Sequence, residues 1–436
     1  MNSGRRAIAA LATVLFWSLI VLVPAGSRAN TCPDPEIQGF SERGLSRIGP
    51  AMQDYVDKGQ LAGIDALLVR NGHSVFRDSW GYRNLASQQP MGHDSIFRIY
   101  SMSKPVTSVA VMMLVEERRL QLSDPVGQYL PEFTGMKVLE VGDDGSARIV
   151  DAKNPITVKH LLMHTSGLSY GFGDDEVDRR YLEAGVWEPG LTLEQVTTRV
   201  AALPLAHQPG AAWRYSVSTD ILGRLVEVVS GTPLDEFMDT RIFTPLGMKD
   251  TGFFVPPEKL PRLAEIYGWG PEDSLIQLSG EQVPGVFKSK PTFLSGGGGL
   301  VSTSEDYRRF AQMLANKGSL NGVQLLDSKT VEDMTRNHLP NHLIPIFSDV
   351  PGGGFGLGFY VVVDKKGTND LGSVGNYGWG GHASTVFWID PVEHLVGVLL
   401  TQFIPSGFHR YNDDFRTLVY QALIDGKPCS SNSDHQ

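Results

Sequence analysis

The sequence predicts a mixed α/β protein of the α+β type, in which an antiparallel sheet is flanked by helices and carries a helical insertion. Strand patterns and a tight turn occur near residue 70, and further strand patterns return only beyond residue 355. Between about residues 120 and 290, short helical patterns alternate with loops rich in proline and glycine. Strands from both ends of a chain can complete one sheet, and the helices between them then form an insertion.

The first predicted elements are a helix and a hairpin. Residues 36–58 have a helical pattern that is somewhat interrupted by glycine and proline. Residues 66–70 then predict a strand, Asn71-Gly72 is a two-residue hairpin turn, and residues 73–77 predict the return strand.

The next segment places Ser101 and Lys104 three residues apart, directly before Pro105. Apolar residues then recur at helical spacing, at Val106, Val109, Ala110, Met113 and Leu114. We expect Ser101 and Lys104 in the first turn of a helix that ends near residues 118–119. Side chains three residues apart share one face of a helix, so this hydroxyl and this amine can meet.

A serine whose hydroxyl meets a lysine amine can become an activated nucleophile. A serine hydroxyl attacks poorly until a base takes its proton, and an ordinary lysine is protonated at neutral pH. Burial and the positive end of a helix both disfavour the ammonium form, so Lys104 could act as the base for Ser101. The alternative is a chance pattern on a surface helix.

The middle of the chain predicts short helices. They cover residues 157–163, 193–203 and 220–229, and Thr232-Pro233 opens a fourth in the manner of an N-cap followed by proline. Residues 255–293 show little periodicity and predict a loop.

The last third predicts strands and one final helix. Residues 355–363, 385–389 and 395–401 are short apolar runs, and residues 390–393 join the last two as a hairpin. A final helix runs from about residue 412 to residue 422.

A second candidate nucleophile is Ser169, in the G-x-S-x-G pattern of residues 167–171. That elbow needs a strand before it and a helix directly after it. Here a predicted short helix precedes the pattern and an acidic stretch follows it. We therefore disfavour Ser169, and we expect His164 to be a hydrogen-bonded structural residue.

The composition is that of an ordinary globular protein, with 41% hydrophobic and 20% charged residues among 436. The formal net charge of −10 argues against nucleic acid or an anionic membrane as a partner. With two cysteines and no H-E-x-x-H or C-x-x-C pattern, we expect no metal and no cofactor.

Residues 1–29 resemble a secretory signal peptide, with a basic start, an apolar run and a small-x-small cleavage site. The alternative is an uncleaved membrane anchor. We expect an exported protein, periplasmic or secreted, without a membrane span in the mature chain. Cys32 and Cys429 could then form one disulfide bond near the two mature ends, or stay as thiols.

Several segments follow one another in the order seen in one superfamily. They are the S-x-x-K segment at residues 101–104, then residues 156–168, 209–217, 297–300 and 379–381. On these motifs the chain resembles the class C β-lactamase-like serine hydrolases, and within them it is most similar to the family VIII carboxylesterases. The resemblance covers about residues 45–425.

The resemblance implies a β-lactamase/penicillin-binding-protein-like architecture with the active site at a domain junction. Residues 30–135 and 290–436 would form the sheet domain, and residues 136–289 the helical domain.

By motif, Ser101 would be the nucleophile and Lys104 its base, while Tyr215 would relay protons to and from the leaving group. The backbone N–H groups of Ser101 and His382 would form the oxyanion hole.

Two departures from the β-lactamase pattern decide the expected substrate. Trp379, in Trp379-Gly380-Gly381, stands where a β-lactamase has a lysine for the substrate carboxylate, and Val217 stands where it has an asparagine. An indole cannot make the charge-assisted bond, and valine donates no hydrogen bond. Trp379, Gly380 and Gly381 would bind substrate, and Tyr170, Phe355 and Trp379 could line its acyl or alcohol pocket or equally belong to the core.

We therefore expect a serine hydrolase that cleaves small neutral carboxylic esters through an acyl-serine, with weak β-lactam hydrolysis as a side activity. The alternatives on the same residues are a β-lactamase, a D,D-peptidase or an acyltransferase. A non-catalytic cell-wall-binding module is the alternative of another class, and the intact Ser101, Lys104 and Tyr215 set argues against it.

Overall fold

The computed structural model describes residues 38–142, 145–347, 351–366 and 371–424. Its centre is an eight-stranded antiparallel sheet with the strand order β4-β5-β6-β7-β8-β1-β2-β3. In chain order these strands are β1 (Gly63–Arg70), β2 (His73–Asn84), β3 (Gln89–Pro90), β4 (Gly353–Phe355), β5 (Tyr360–Val362), β6 (Tyr377–Gly381), β7 (Thr385–Asp390) and β8 (Leu395–Leu400).

The described helices fall into an N-terminal pair, a long central group and a C-terminal helix. They are α1 (Glu42–Leu45), α2 (Ile48–Asp57), α3 (Ser103–Glu116), α4 (Val158–Leu162), α5 (Glu176–Glu183), α6 (Leu193–Ala201), α7 (Ser218–Ser230), α8 (Leu234–Met238), α9 (Thr244–Leu246), α10 (Ser304–Ala315), α11 (Ser328–Thr335) and α12 (Tyr411–Ala422).

Smaller strand pairs lie outside the main sheet. Phe97–Arg98 pairs with Val301–Ser302, Lys137–Val141 with Ala147–Asp151, Ser319–Leu320 with Val323–Gln324, and Tyr267–Gly270 with both Ser274–Gln277 and Phe403–Ile404.

The sheet is covered on both faces, which explains why every residue of β1 is buried. Successive side chains of a strand point to opposite faces. Leu67 and Val69 of β1 pack into the large core that includes α3 and α10. Ala66 and Leu68 pack on the other face, into a second core with α1, α2 and α12. The sheet is thus the middle layer between two sets of helices.

The predicted fold class is confirmed: the central sheet is antiparallel, and it is completed by β1–β3 from the early chain and β4–β8 from the late chain. The assignment of residues 30–135 and 290–436 to one domain and 136–289 to another stays a prediction. The signal peptide and the two cysteines lie outside the described residues, so export and the disulfide bond also stay predictions. In the described part of the chain, no helix has the length and hydropathy needed to cross a membrane.

Three predicted elements were wrong in detail. The N-terminal helix is two helices, α1 and α2, because Pro50 has no N–H for the Ser46 carbonyl and is tolerated only in the first turn of a helix, here α2. The strand expected at residues 355–363 is a hairpin of β4 and β5, reversed by a turn in which Gly358 has a φ of 96°.

The third error concerns residues 255–293, where a loop was expected. This stretch contains the paired strands Tyr267–Gly270 and Ser274–Gln277, and Tyr267 also pairs with Phe403 in parallel. No strand signal is visible in the sequence here, because both strands are only four residues long and the first contains Gly268 and Gly270, and glycine disfavours strands.

Candidate active site

Ser101 lies in a 3₁₀ turn, Tyr100–Met102, immediately before α3. The sequence predicted Ser101 in the first turn of the helix, whereas the structure has it in the turn directly before α3. Tyr100 precedes it with a φ of 41°, a left-handed conformation that costs energy in a non-glycine residue. Strain of this kind collects at functional sites, and here it sits next to the predicted nucleophile.

Lys104 lies in the first turn of α3 with its side chain 2% exposed. Its Nζ donates to Ser101 Oγ over 3.2 Å and to the Gly297 carbonyl over 2.7 Å. The same Nζ lies 4.6 Å from the ring centre of Tyr215 and 5.3 Å from that of Tyr170. Aromatic faces attract a cation at these distances, so the two rings help to hold Lys104 in place.

Tyr215 completes the group predicted from sequence. It lies just before α7, and its hydroxyl donates to Ser101 Oγ over 2.7 Å. The structure therefore brings Ser101, Lys104 and Tyr215 together, with both partners within hydrogen-bond reach of one oxygen. The Tyr215 ring is positioned by contacts with other rings, those of His164, Tyr170, Trp213 and Trp379.

Asp220 is a residue of the site that sequence reasoning missed. It lies in the first turn of α7, is buried, and accepts hydrogen bonds from Ser295 Oγ over 2.6 Å and from the Gly297 N–H over 3.1 Å. Burial raises the pKa of this carboxyl, and the positive charge of Lys104 opposes the rise.

A sequence signal for Asp220 existed in the four-glycine loop at residues 296–299. Glycine often marks a close approach of the backbone to another group. A Cβ on Gly297 would lie 2.6 Å from the second carboxylate oxygen of Asp220. The loop needs glycine there because Asp220 and Lys104 both contact this backbone segment.

The Trp379-Gly380-Gly381 motif forms the end of strand β6. A Cβ on Gly381 would lie 2.4 Å from the Ile99 carbonyl oxygen, so glycine allows the strand to approach the turn that carries Ser101. His382 follows directly, and its ring meets that of Tyr100 edge-on at 5.6 Å. Burial lowers the pKa of His382. The backbone of residues 381–382 thus runs beside the Ser101 turn.

The proposed pocket residues fall into two groups. Trp379 and Tyr170 both contact the Tyr215 ring, at 5.6 and 5.3 Å. Phe355 is buried in the core and packs edge-on against Trp379 at 5.4 Å, so it supports that ring from behind. Val217 is also fully buried in the core. Its side chain therefore presents neither a polar nor an apolar group to the cleft.

The hydrogen bonds of Ser169 indicate a structural role. It is buried; its hydroxyl donates to the carboxylate of Asp178 and accepts from Arg214 Nε over 3.1 Å and from the Gly171 N–H. Arg214 is itself paired with Asp175 and Asp178, both at 2.7 Å. A nucleophile elbow needs a strand directly before it, but the element directly before Ser169 is the helix α4.

His164 is structural too, as the sequence suggested. It is buried, its Nδ1 lies 3.3 Å from Ser216 Oγ, and its ring packs against Tyr215 and Phe355. Burial, with a smaller effect of Lys104, holds its pKa well below the usual range. A neutral imidazole fits this position beside the lysine.

Comparison with known proteins gives the family. A sequence model described as β-lactamase matches residues 50–421, most of the chain. The chain belongs to the β-lactamase family. The family resemblance inferred from the motifs is therefore confirmed, and it places the chain among serine hydrolases.

Several known proteins match this chain over nearly their full length. Protein Rv1367c of Mycobacterium tuberculosis is 34% identical over 365 residues, covering 82% of this chain and 89% of that protein. Esterase EstB of Burkholderia gladioli is 30% identical over 381 residues, covering 83% and 91%. Among solved structures, EstCE1, a hydrolase with promiscuous acyltransferase activity, has a TM-score of 0.76 and 28% identity, covering 87% of this chain and 99% of its own.

Proposed function

We propose that the protein is a carboxylesterase that cleaves small neutral esters through an acyl-Ser101 intermediate. One observation carries the proposal: Ser101 Oγ lies within hydrogen-bond reach of both Lys104 Nζ and the Tyr215 hydroxyl. A nucleophile needs a base to take its proton, and a leaving alcohol needs an acid to supply one. The two partners of Ser101 fit these two tasks.

In the proposed reaction, Lys104 is the base that takes the Ser101 proton as Oγ attacks the ester carbonyl carbon. Tyr215 protonates the departing alcohol oxygen and regains its proton from Lys104. The acyl group remains on Ser101. Water then attacks the carbonyl carbon of the acyl-serine, and Lys104 and Tyr215 take a proton from the water and return one to Ser101 Oγ. The bond between the carbonyl carbon and Oγ breaks, which releases the carboxylic acid and the free serine.

The proposed oxyanion hole is formed by the backbone N–H groups of Ser101 and His382. Its support is the close approach of Gly381 to Ile99, which sets the end of β6 beside the Ser101 turn. Two N–H groups aimed at one point stabilise the negative oxygen of a tetrahedral intermediate, and losing one such donor typically costs about 10²–10³ in kcat.

Neutral esters fit the cleft better than β-lactams. By the order of motifs, Trp379 stands where a β-lactamase has a cation for the substrate carboxylate, and its ring contacts that of Tyr215 at 5.6 Å. Arg214, next to Tyr215, is already paired with Asp175 and Asp178. An anionic substrate would therefore lose hydration without gaining a charged partner at these positions.

The experiment compares esters with a β-lactam on one plate. Wild type and Ser101→Ala are given p-nitrophenyl esters of increasing chain length and a chromogenic cephalosporin. We expect the esters to be hydrolysed by wild type only, with short chains preferred and the cephalosporin slower than every ester. Cephalosporin turnover faster than any ester would favour a β-lactamase, and equal ester turnover by Ser101→Ala would reject the nucleophile.

A further inference from the structure

A cluster of aromatic rings leads from the buried Tyr170, beside the proposed active site, to the exposed Phe172. Phe172 is 76% exposed, yet its ring lies parallel to that of Tyr170, with 4.8 Å between ring centres and 4° between planes. Trp187 stacks on Tyr170 as well, at 5.7 Å, and Phe293 packs against Trp187. We call Tyr170, Phe172, Trp187 and Phe293 the aromatic platform.

The aromatic platform is continuous with the reacting groups. The Tyr170 ring lies 5.3 Å from the ring of Tyr215 and 5.3 Å from Lys104 Nζ. Both of those side chains bind Ser101 Oγ. The platform therefore begins beside the two partners of Ser101 and ends at the exposed Phe172.

Local backbone geometry and a hydrogen bond hold the platform in place. Gly171, between the two stacked residues, has a φ of 80°, and a Cβ there would lie 3.0 Å from the Tyr181 Cβ. A side chain at this position would strain the turn. The turn made by Gly171 allows the rings on either side of it to face each other. The Trp187 indole N–H donates to the Tyr170 carbonyl over 3.0 Å.

We propose that the outer face of Phe172 binds an aromatic ring of the ester substrate, either in its acyl half or in its alcohol half. This inference rests on the proposed ester hydrolysis. An exposed aromatic face bears a hydration cost that a stacked ring relieves, and aromatic pairs in offset-stacked geometry attract beyond the area they bury. The preferred substrates are then small neutral esters that carry an aromatic ring.

The test compares matched esters with and without a ring. Ethyl acetate is the common reference; ethyl phenylacetate adds a ring to the acyl half, and benzyl acetate adds one to the alcohol half. Hydrolysis is followed by acid release for wild type, Phe172→Ala and Phe172→Trp. We expect Phe172→Ala to lower kcat/KM for at least one ring-bearing ester by about three- to tenfold, with ethyl acetate unchanged. Phe172→Trp should retain the ring preference.

Phe408→Ala is the matched control, since Phe408 is 50% exposed and contacts Trp269, Phe403 and His409, away from the platform. It should change no rate. An equal loss for all three esters in Phe172→Ala, or no loss for either ring-bearing ester, overturns the inference while leaving ester hydrolysis in place. If wild type hydrolyses none of the esters, the proposed function and this inference both fall.

Discussion

Lys104 and Asp220 are connected through the backbone of Gly297. The Gly297 carbonyl accepts a hydrogen bond from Lys104 Nζ at 2.7 Å, and the Gly297 N–H donates to Asp220 at 3.1 Å. A buried carboxylate thus orders the loop that contacts the buried lysine. Asp220 touches neither Ser101 nor the place of the substrate carbonyl, so it is a positioning residue.

Asp220→Asn is expected to lower kcat/KM about tenfold, because a hydrogen bond to a charged group stabilises more than one to a neutral amide. The melting temperature should change little, because asparagine keeps the size of the side chain. Steady-state kinetics and thermal melting measure the two quantities.

Asp306→Asn provides the control for the loss of a buried carboxylate. Asp306 is buried and binds the Asp250 N–H and the Thr251 hydroxyl. Its replacement should reduce stability without lowering kcat/KM. Equal kcat/KM values for Asp220→Asn and wild type would limit Asp220 to a purely structural role.

Tyr215→Phe is expected to lower kcat by about 10²–10⁴, the range for loss of a general acid–base group. The ring and its packing remain, so the melting temperature should change little. Tyr411→Phe, which removes a buried hydroxyl bonded to the Ser384 carbonyl over 2.6 Å, is the control and should retain activity. Activity of Tyr215→Phe within a few-fold of wild type would exclude Tyr215 as the proton donor.

Ser169→Ala should show the opposite behaviour from Ser101→Ala. Removing Ser169 Oγ leaves the buried Asp178 carboxylate without that donor, which should cost about 1–3 kcal/mol of unfolding free energy. Ester turnover should persist. Urea unfolding and ester kinetics on both variants decide the point, and loss of turnover with intact stability in Ser169→Ala would revive Ser169 as a nucleophile.

We expect the buried His164 to make the protein less stable to unfolding in acid. Burial lowers its pKa well below 6.5, so below that pH the unfolded chain binds a proton that the folded protein does not. The free energy of unfolding should therefore fall as pH drops below about 6.5, by at most about 1.4 kcal/mol per pH unit from this group. Urea unfolding at pH 5.5 and 7.5 measures the difference.

His164→Asn should remove this part of the pH dependence. Asparagine suits the position because His164 has a φ of 55°, which asparagine tolerates. An unchanged stability difference between pH 5.5 and 7.5 in the variant would assign it to other groups.

Local patterns predicted the features that short stretches encode by themselves. The Asn71-Gly72 turn, the helical run after Lys104 and the short apolar runs of β1 and β8 all depend on neighbours in sequence. The proposed nucleophile and its proposed base also form a local pattern, since they are three residues apart. Tyr215 required the order of motifs, because its contact with Ser101 spans 114 positions.

Features made by distant contacts were not predicted. Asp220 gains its role only when α7 meets the loop at Gly297, and Phe172 joins the site only because Gly171 turns its ring onto Tyr170. Phe355 was assigned to the pocket or the core, and only its packing behind Trp379 decides for the core. A single aromatic residue in a loop or in a three-residue strand has no periodicity that would assign it to the pocket or to the core.

The identity of the nucleophile is the central claim, and covalent labelling tests it most directly. The protein is treated with a fluorophosphonate, digested, and the modified peptide is sequenced by mass spectrometry, with Ser101→Ala treated in parallel. The account predicts one phosphonylated residue, Ser101, formed in step with loss of ester turnover, and no label in Ser101→Ala. A label on Ser169, or complete inhibition without modification of Ser101, would contradict it.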